Sequence, residues 1–145
     1  MSDEITNRRD FLAGLVAVPA LAFARPFSRA RLPILKAEHP EPRAGITAAK
    51  VATAEQLKDD QDLIPLFDQV REIPQIMDGI RCQCGCAERP DFYSLLSCYE
   101  GADAMAMDCH QCQNEGKLVT RLHKQGRSLK EIRAAIDDRF GGGQP

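Results

Sequence analysis

The sequence predicts a mainly α fold: a small single domain with a cysteine-rich loop and a C-terminal helical hairpin. Three observations predict it. The C-terminal third carries two apolar patterns at helical spacing, each with its own start and stop signals. All six cysteines fall between Cys82 and Cys112. No long run alternates apolar and polar residues as a half-buried strand would. A length of 145 residues fits one small domain.

The composition narrows the class. A hydrophobic fraction of 43% and a charged fraction of 28% suit a soluble fold with a modest core. They argue against a fully disordered chain and a multi-span membrane protein. The formal net charge is −2, so no basic surface for nucleic acid is implied.

Residues 1–24 read as an address. Arg8 and Arg9 precede a short apolar run that begins at Phe11 and ends in Ala22-Phe23-Ala24. The run is too short to span a bilayer comfortably and closes on a small-x-small cleavage pattern. These features resemble a bacterial twin-arginine export signal. They imply a periplasmic protein with no membrane contact after cleavage. That route carries folded cargo, which favours a metal acquired before export.

Residues 25–52 read as a Pro-rich linker and residues 53–145 as the cysteine-rich helical domain. Pro26, Pro33, Pro40 and Pro42 interrupt any regular element, and an extended tether is expected up to about Gly45. The Ala-rich stretch from Thr47 to Lys58 predicts a weak helix that needs tertiary support. Pro65 can occupy the first turn of a helix running to about Glu72, with Leu66, Phe67 and Val70 inward. Pro74 starts another turn carrying Ile76, Met77 and Ile80. The segment from Arg81 to Cys86 reads as a loop. Residues 91–99 predict one further turn, with Phe92, Leu95 and Leu96 facing the core. Asp108 and Gln111 predict the N-cap of a helix from Cys109 to about Lys124. Cys112, Leu118, Val119 and Leu122 share one side of it, and Gly126 ends it. Ser128 and Glu131 form a second capping box for a helix from Leu129 to about Phe140. Leu129, Ile132, Ala135, Ile136 and Phe140 are its buried stripe.

The chemistry lies in the cysteines: Cys82-x-Cys84-x-Cys86, then Cys98, then Cys109-x-x-Cys112. Three outcomes compete. Thiolates can hold Zn(II) or Cu(I), because soft sulfur suits both ions. A Cys-x-x-Cys at a helix start gains from backbone N–H groups and the helix dipole, which stabilise thiolates. Disulfides are the second outcome in an oxidising compartment, and six cysteines allow 15 pairings. Thiol–disulfide exchange at Cys109 or Cys112 is the third. Covalent c-type haem is disfavoured, because Gln113 follows Cys112 where a His is needed. His110 reads as an exposed helix-start residue or a ligand. Met105 and Met107 read as gap-filling side chains or soft ligands. His123 reads as a surface position of its helix, and His39, in the linker, carries no signal.

The run Ile80-Arg81-Cys82-Gln83-Cys84-Gly85-Cys86, with Cys98 and then Cys109-His110-Gln111-Cys112, resembles the PCYCGC-motif proteins, small exported bacterial proteins with the same cysteine order. Arg81 stands where that motif has Pro, and Gln83 where it has Tyr. The likeness spans about residues 73–140 and implies a shared cysteine site. The hairpin, with Cys109-x-x-Cys112 and then Asp138-Arg-Phe-Gly141, is similar to the thiol-reducing domain of cytochrome c maturation. That likeness implies electron transfer through Cys109 and Cys112.

The leading expectation is an exported metal-binding protein without turnover. Its Zn(II) or Cu(I) ligands come from Cys82, Cys84, Cys86, Cys109 and Cys112, with Cys98 a further ligand or disulfide partner. The alternatives are a thiol–disulfide oxidoreductase of cytochrome c maturation and a disulfide-stapled module that binds another exported protein.

Overall fold

A computed structural model describes residues 38–141. The expected signal and most of the expected linker lie outside them. Four α-helices follow in chain order: α1 (Ile64–Glu72), α2 (Pro74–Asp78), α3 (His110–Lys124) and α4 (Leu129–Phe140). Short 3-10 turns fill the connections at Gln61–Leu63, Cys86–Glu88, Leu95–Tyr99 and Met105–Met107. Among the described residues there is no strand, only an isolated antiparallel bridge between Val51 and Glu100. No described helix is long and apolar enough to cross a membrane.

Local chemistry explains the ends of the hairpin. Gly126, at φ +74°, takes the left-handed position after α3. Its N–H reaches the His123 carbonyl at 2.8 Å, and the Arg127 N–H reaches Leu122 at 3.1 Å. That pair of bonds is a Schellman motif, which satisfies carbonyls the helix would leave open. Ser128 and Glu131 form the expected capping box of α4. Ile132 and Ile136 are fully buried, whereas Ala135 is half-buried.

The start of α3 differs from expectation. Asp108 has helical backbone angles (φ −103°, ψ −16°) and so cannot be the N-cap. The preceding 3-10 turn runs into it, with the Cys109 N–H bonded to the Met105 carbonyl at 2.9 Å. Cys109 is extended and takes the cap itself; its Sγ accepts from the Cys112 N–H at 3.5 Å. The side-chain amide of Gln113 donates to the carbonyls of Ala106 at 2.9 Å and Met107 at 3.2 Å, locking the turn onto α3.

The core forms where α1, α2, α3 and the 95–99 turn meet. Phe67, Val70, Met77, Ile80, Leu95, Leu96, Tyr99 and Val119 are all fully buried. Such side chains each contribute about 1.5–3 kcal/mol on burial. The Phe67 and Tyr99 rings meet edge to face, with centroids 4.9 Å apart.

Two N-terminal expectations are corrected. Residues 47–58 form turns and the bridge partner, not a helix. The Ala52 N–H bonds the Tyr99 carbonyl, and the Gly101 N–H bonds Lys50, both at 2.9 Å. An Ala- and Val-faced helix offers too little apolar area to compete with this pairing. The described part of the expected linker, residues 38–52, packs against the domain. The buried carboxylate of Asp78 accepts from the Arg43 backbone N–H at 2.8 Å and from its guanidinium at 2.7 Å. His39 accepts at Nδ1 from the Arg81 N–H at 2.9 Å and meets Asp137 at 3.0 Å through Nε2. Arg133 donates to the carbonyls of Pro40 at 2.6 Å and Gly79 at 2.9 Å. Proline excludes helix here but leaves an extended segment free to dock.

Candidate metal centre

Three separate segments deliver the sulfur atoms. The 80–86 loop leaves α2 through Gly79 and is held at its base by a 2.7 Å bond from the Leu95 N–H to the Ile80 carbonyl. Gly85 then turns with φ +85°, a left-handed conformation that a side chain would strain. That turn starts the short 3-10 segment carrying Cys86. Cys98 arrives from the buried 95–99 turn. Cys112 is the third residue of α3, near the positive end of its dipole.

The sulfurs meet. Cys82 Sγ lies 3.0 Å from Cys84 Sγ and 3.7 Å from Cys112 Sγ. Cys84 Sγ lies 2.9 Å from Cys86 Sγ and 3.6 Å from Cys112 Sγ. Two groups of three have every ligand atom within 4.8 Å of the others: Cys82, Cys84 and Cys112, then Cys86, Cys98 and Cys112. Cys112 belongs to both. The cluster is thus geometrically able to hold a metal ion. All six cysteines are free thiols. A tetrahedral Zn–S bond of about 2.3 Å implies sulfur–sulfur edges of about 3.8 Å, close to the longer pairs here.

Cys109 joins neither group and serves as the α3 N-cap. Cys98, expected as a ligand or disulfide partner, lies in the second group and is fully buried. His110 is exposed and is absent from both groups. Met105 and Met107 are half-buried and pack against the core.

Mutual hydrogen bonding polarises the thiols. Bonds from Cys112 and then Cys82 hold the Cys84 thiol far below its ordinary value. Burial, with Cys84 beside it, pushes the Cys86 thiol up to about 12. Cys112 is driven upward by its bonds to Cys82 and Cys84. At Cys98 the bond to Cys112 pulls downward but is outweighed by the bonds to Cys82 and Cys84 and by burial. The thiols therefore share their protons within one hydrogen-bonded cluster, with Cys84 the most readily ionised of them. A soft cation replacing those protons converts the donors into ligands.

One supporting carboxylate was not foreseen. Glu115 is fully buried and accepts from the Gln83 N–H at 3.0 and 3.2 Å, so it pins the cysteine loop to α3. The Gln111 side chain donates to it at 2.9 Å. Burial pushes the Glu115 carboxyl up to about 7. Its signal was its place three residues after Cys112, on the same helix face. Tyr99 closes the floor, its hydroxyl donating to the Cys112 carbonyl at 2.8 Å. On the outer side Arg81 pairs with Glu88 at 2.8 Å.

A family model described as a protein of unknown function with PCYCGC motif matches residues 44–145. No curated protein and no solved structure matches the chain.

Proposed function

The chain belongs to the PCYCGC-motif family, and we propose that it binds a soft metal ion through cysteine thiolates, Zn(II) or Cu(I), for storage or delivery. The observation that carries this reading is the convergence of five sulfurs from three segments, in two groups that share Cys112. Bringing that many thiols together in a buried place has little purpose for packing alone, and sulfur ligands suit both ions.

Export to the periplasm by the twin-arginine route is part of the proposal. Its support is Arg8-Arg9, the apolar run and Ala22-Phe23-Ala24. A route for folded cargo lets the reducing cytoplasm keep the thiols free until the ion is in place. Thiol–disulfide exchange is less well supported. Of the expected pair, Cys109 is half-buried, but Cys112 is fully buried with its sulfur engaged by Cys82 and Cys84, which shields it from a partner thiol.

Native mass spectrometry of full-length chain, purified without oxygen after cytoplasmic folding, tests the reading. The expected mass includes bound metal with reduced cysteines. A metal-free mass carrying three disulfides overturns it.

A further inference from the structure

We infer that the sulfur centre is a two-ion site for Cu(I), with Cys112 as the thiolate that bridges the ions. The inference rests on the metal-binding reading above and adds the number and class of ions. Its basis is how the sulfurs group. Two triangles, Cys82–Cys84–Cys112 and Cys86–Cys98–Cys112, each have all members within 4.8 Å and together take in all five sulfurs, with Cys112 the one residue common to both. The 2.9 Å approach of Cys84 to Cys86 sets the triangles edge to edge. They form one cluster, not two remote sites.

The coordination number decides the ion. Zn(II) in a thiolate site takes four ligands in a tetrahedron. The grouping here is by threes: among the described residues no fourth cysteine, histidine or carboxylate lies within 4.8 Å of every member of either group, although Cys98 also bonds to Cys82 and Cys84. Cu(I) is a soft closed-shell ion that thiolates select, and it accepts three sulfurs in a plane. Two three-coordinate ions sharing one sulfur use all five clustered thiolates and leave none over. Two tetrahedral ions would need ligands from outside the cluster.

The bridge is in a suitable place. Cys112 is fully buried, and its position in the first turn of α3 puts backbone dipoles behind the anion. Cys84 is half-buried, so the loop edge of the cluster is the side from which an ion can enter. Binding is a ligand exchange without electron transfer. Each thiol releases its proton as a Cu–S bond forms, and copper stays monovalent throughout.

The test is titration of reduced, full-length chain with Cu(I) under nitrogen, against a Cu(I)-selective colorimetric chelator, read by native mass spectrometry. Wild type is expected to hold two ions. Cys84→Ser breaks only the first triangle and Cys86→Ser only the second, so each variant is expected to hold one. Both lie on the loop, which makes their folding less vulnerable than that of Cys112→Ser, and circular dichroism verifies it. The double variant is expected to hold none against the chelator, and Cys109→Ser is expected to keep two. One ion in wild type, or two retained in either single loop variant, overturns the two-ion inference while the metal-binding reading stands. No ion in folded wild type overturns both.

Discussion

Gly116 sits in the middle of α3, where glycine normally weakens a helix by about 1 kcal/mol relative to Ala. On an exposed face Gly116→Ala would therefore stabilise. The packing here reverses the sign. A Cβ on Gly116 would lie 2.0 Å from the Tyr99 hydroxyl and 2.8 Å from the ring carbon that bears it. Tyr99 is fully buried, with its ring against Phe67 and its hydroxyl on the Cys112 carbonyl. It cannot swing away without opening the floor of the sulfur centre. Overpacking a filled core costs about 1–3 kcal/mol, and orphaning the buried Cys112 carbonyl costs about 1–3 kcal/mol more. Set against the propensity gain, the net loss is about 3 kcal/mol, or roughly 12–24 °C in Tm for a domain of this size. The assay is thermal and urea unfolding of Gly116→Ala beside wild type. Adding Tyr99→Phe removes the atom in closest conflict, so the double variant should lose less than the sum of the singles. A Tm for Gly116→Ala equal to or above wild type refutes the packing argument.

Other predictions concern the supports of the centre and the N-terminal strap. Glu115→Ala strips the acceptor from the Gln83 N–H and should cost about 1–3 kcal/mol in urea unfolding; Glu115→Gln keeps an acceptor oxygen and should cost less. Arg43→Ala leaves the Asp78 carboxylate buried with only the Arg43 backbone N–H and Ser94, and should destabilise by about 1–3 kcal/mol, below the full cost of breaking a buried pair because Arg43 is partly solvated. Burial tends to raise the Asp78 carboxyl, but bonds from Arg43 and Ser94 hold it below its ordinary value of 3.8. The native state thus favours the ionised form, and its contribution is present above about pH 4 and is lost as the pH falls through the lower native value. Asp78→Asn should remove that acid-dependent component from stability measured at a series of pH values. Burial similarly lowers His39 from 6.5, against the opposing pull of Asp137. Its neutral form supports the fold above about pH 6.5 and that support is lost below, so His39→Gln should flatten stability between pH 7 and pH 5.

The hairpin was legible because each of its signals acts over a few residues. Ser128 with Glu131, Gly126 after α3, and the apolar spacing of Ile132 and Ile136 all work locally. Pro65 and Pro74 likewise mark the first turns of α1 and α2. The clustering of cysteines pointed to a shared centre, since short loops bring sulfurs together at little entropic cost. Long-range choices were not legible. Cys109 stands in a Cys-x-x-Cys pair and Cys98 stands alone, yet the first caps a helix and the second enters the cluster. That outcome depends on how the 105–107 turn delivers the chain to α3. Arg43 and His39 looked like linker residues because their partners, Asp78 and Asp137, are distant in sequence. The Ala-rich 47–58 stretch fell to pairing with residues 99–101, which no local propensity reveals.

Metal-edge X-ray absorption on full-length chain, loaded without oxygen, addresses the shared sulfur centre most directly. The account predicts a first coordination shell of sulfur alone, at about 2.3 Å for zinc, that disappears when the loop cysteines and Cys112 are alkylated in the unfolded chain before refolding and loading. A first shell of nitrogen or oxygen, or a sulfur shell that persists after alkylation, would contradict it.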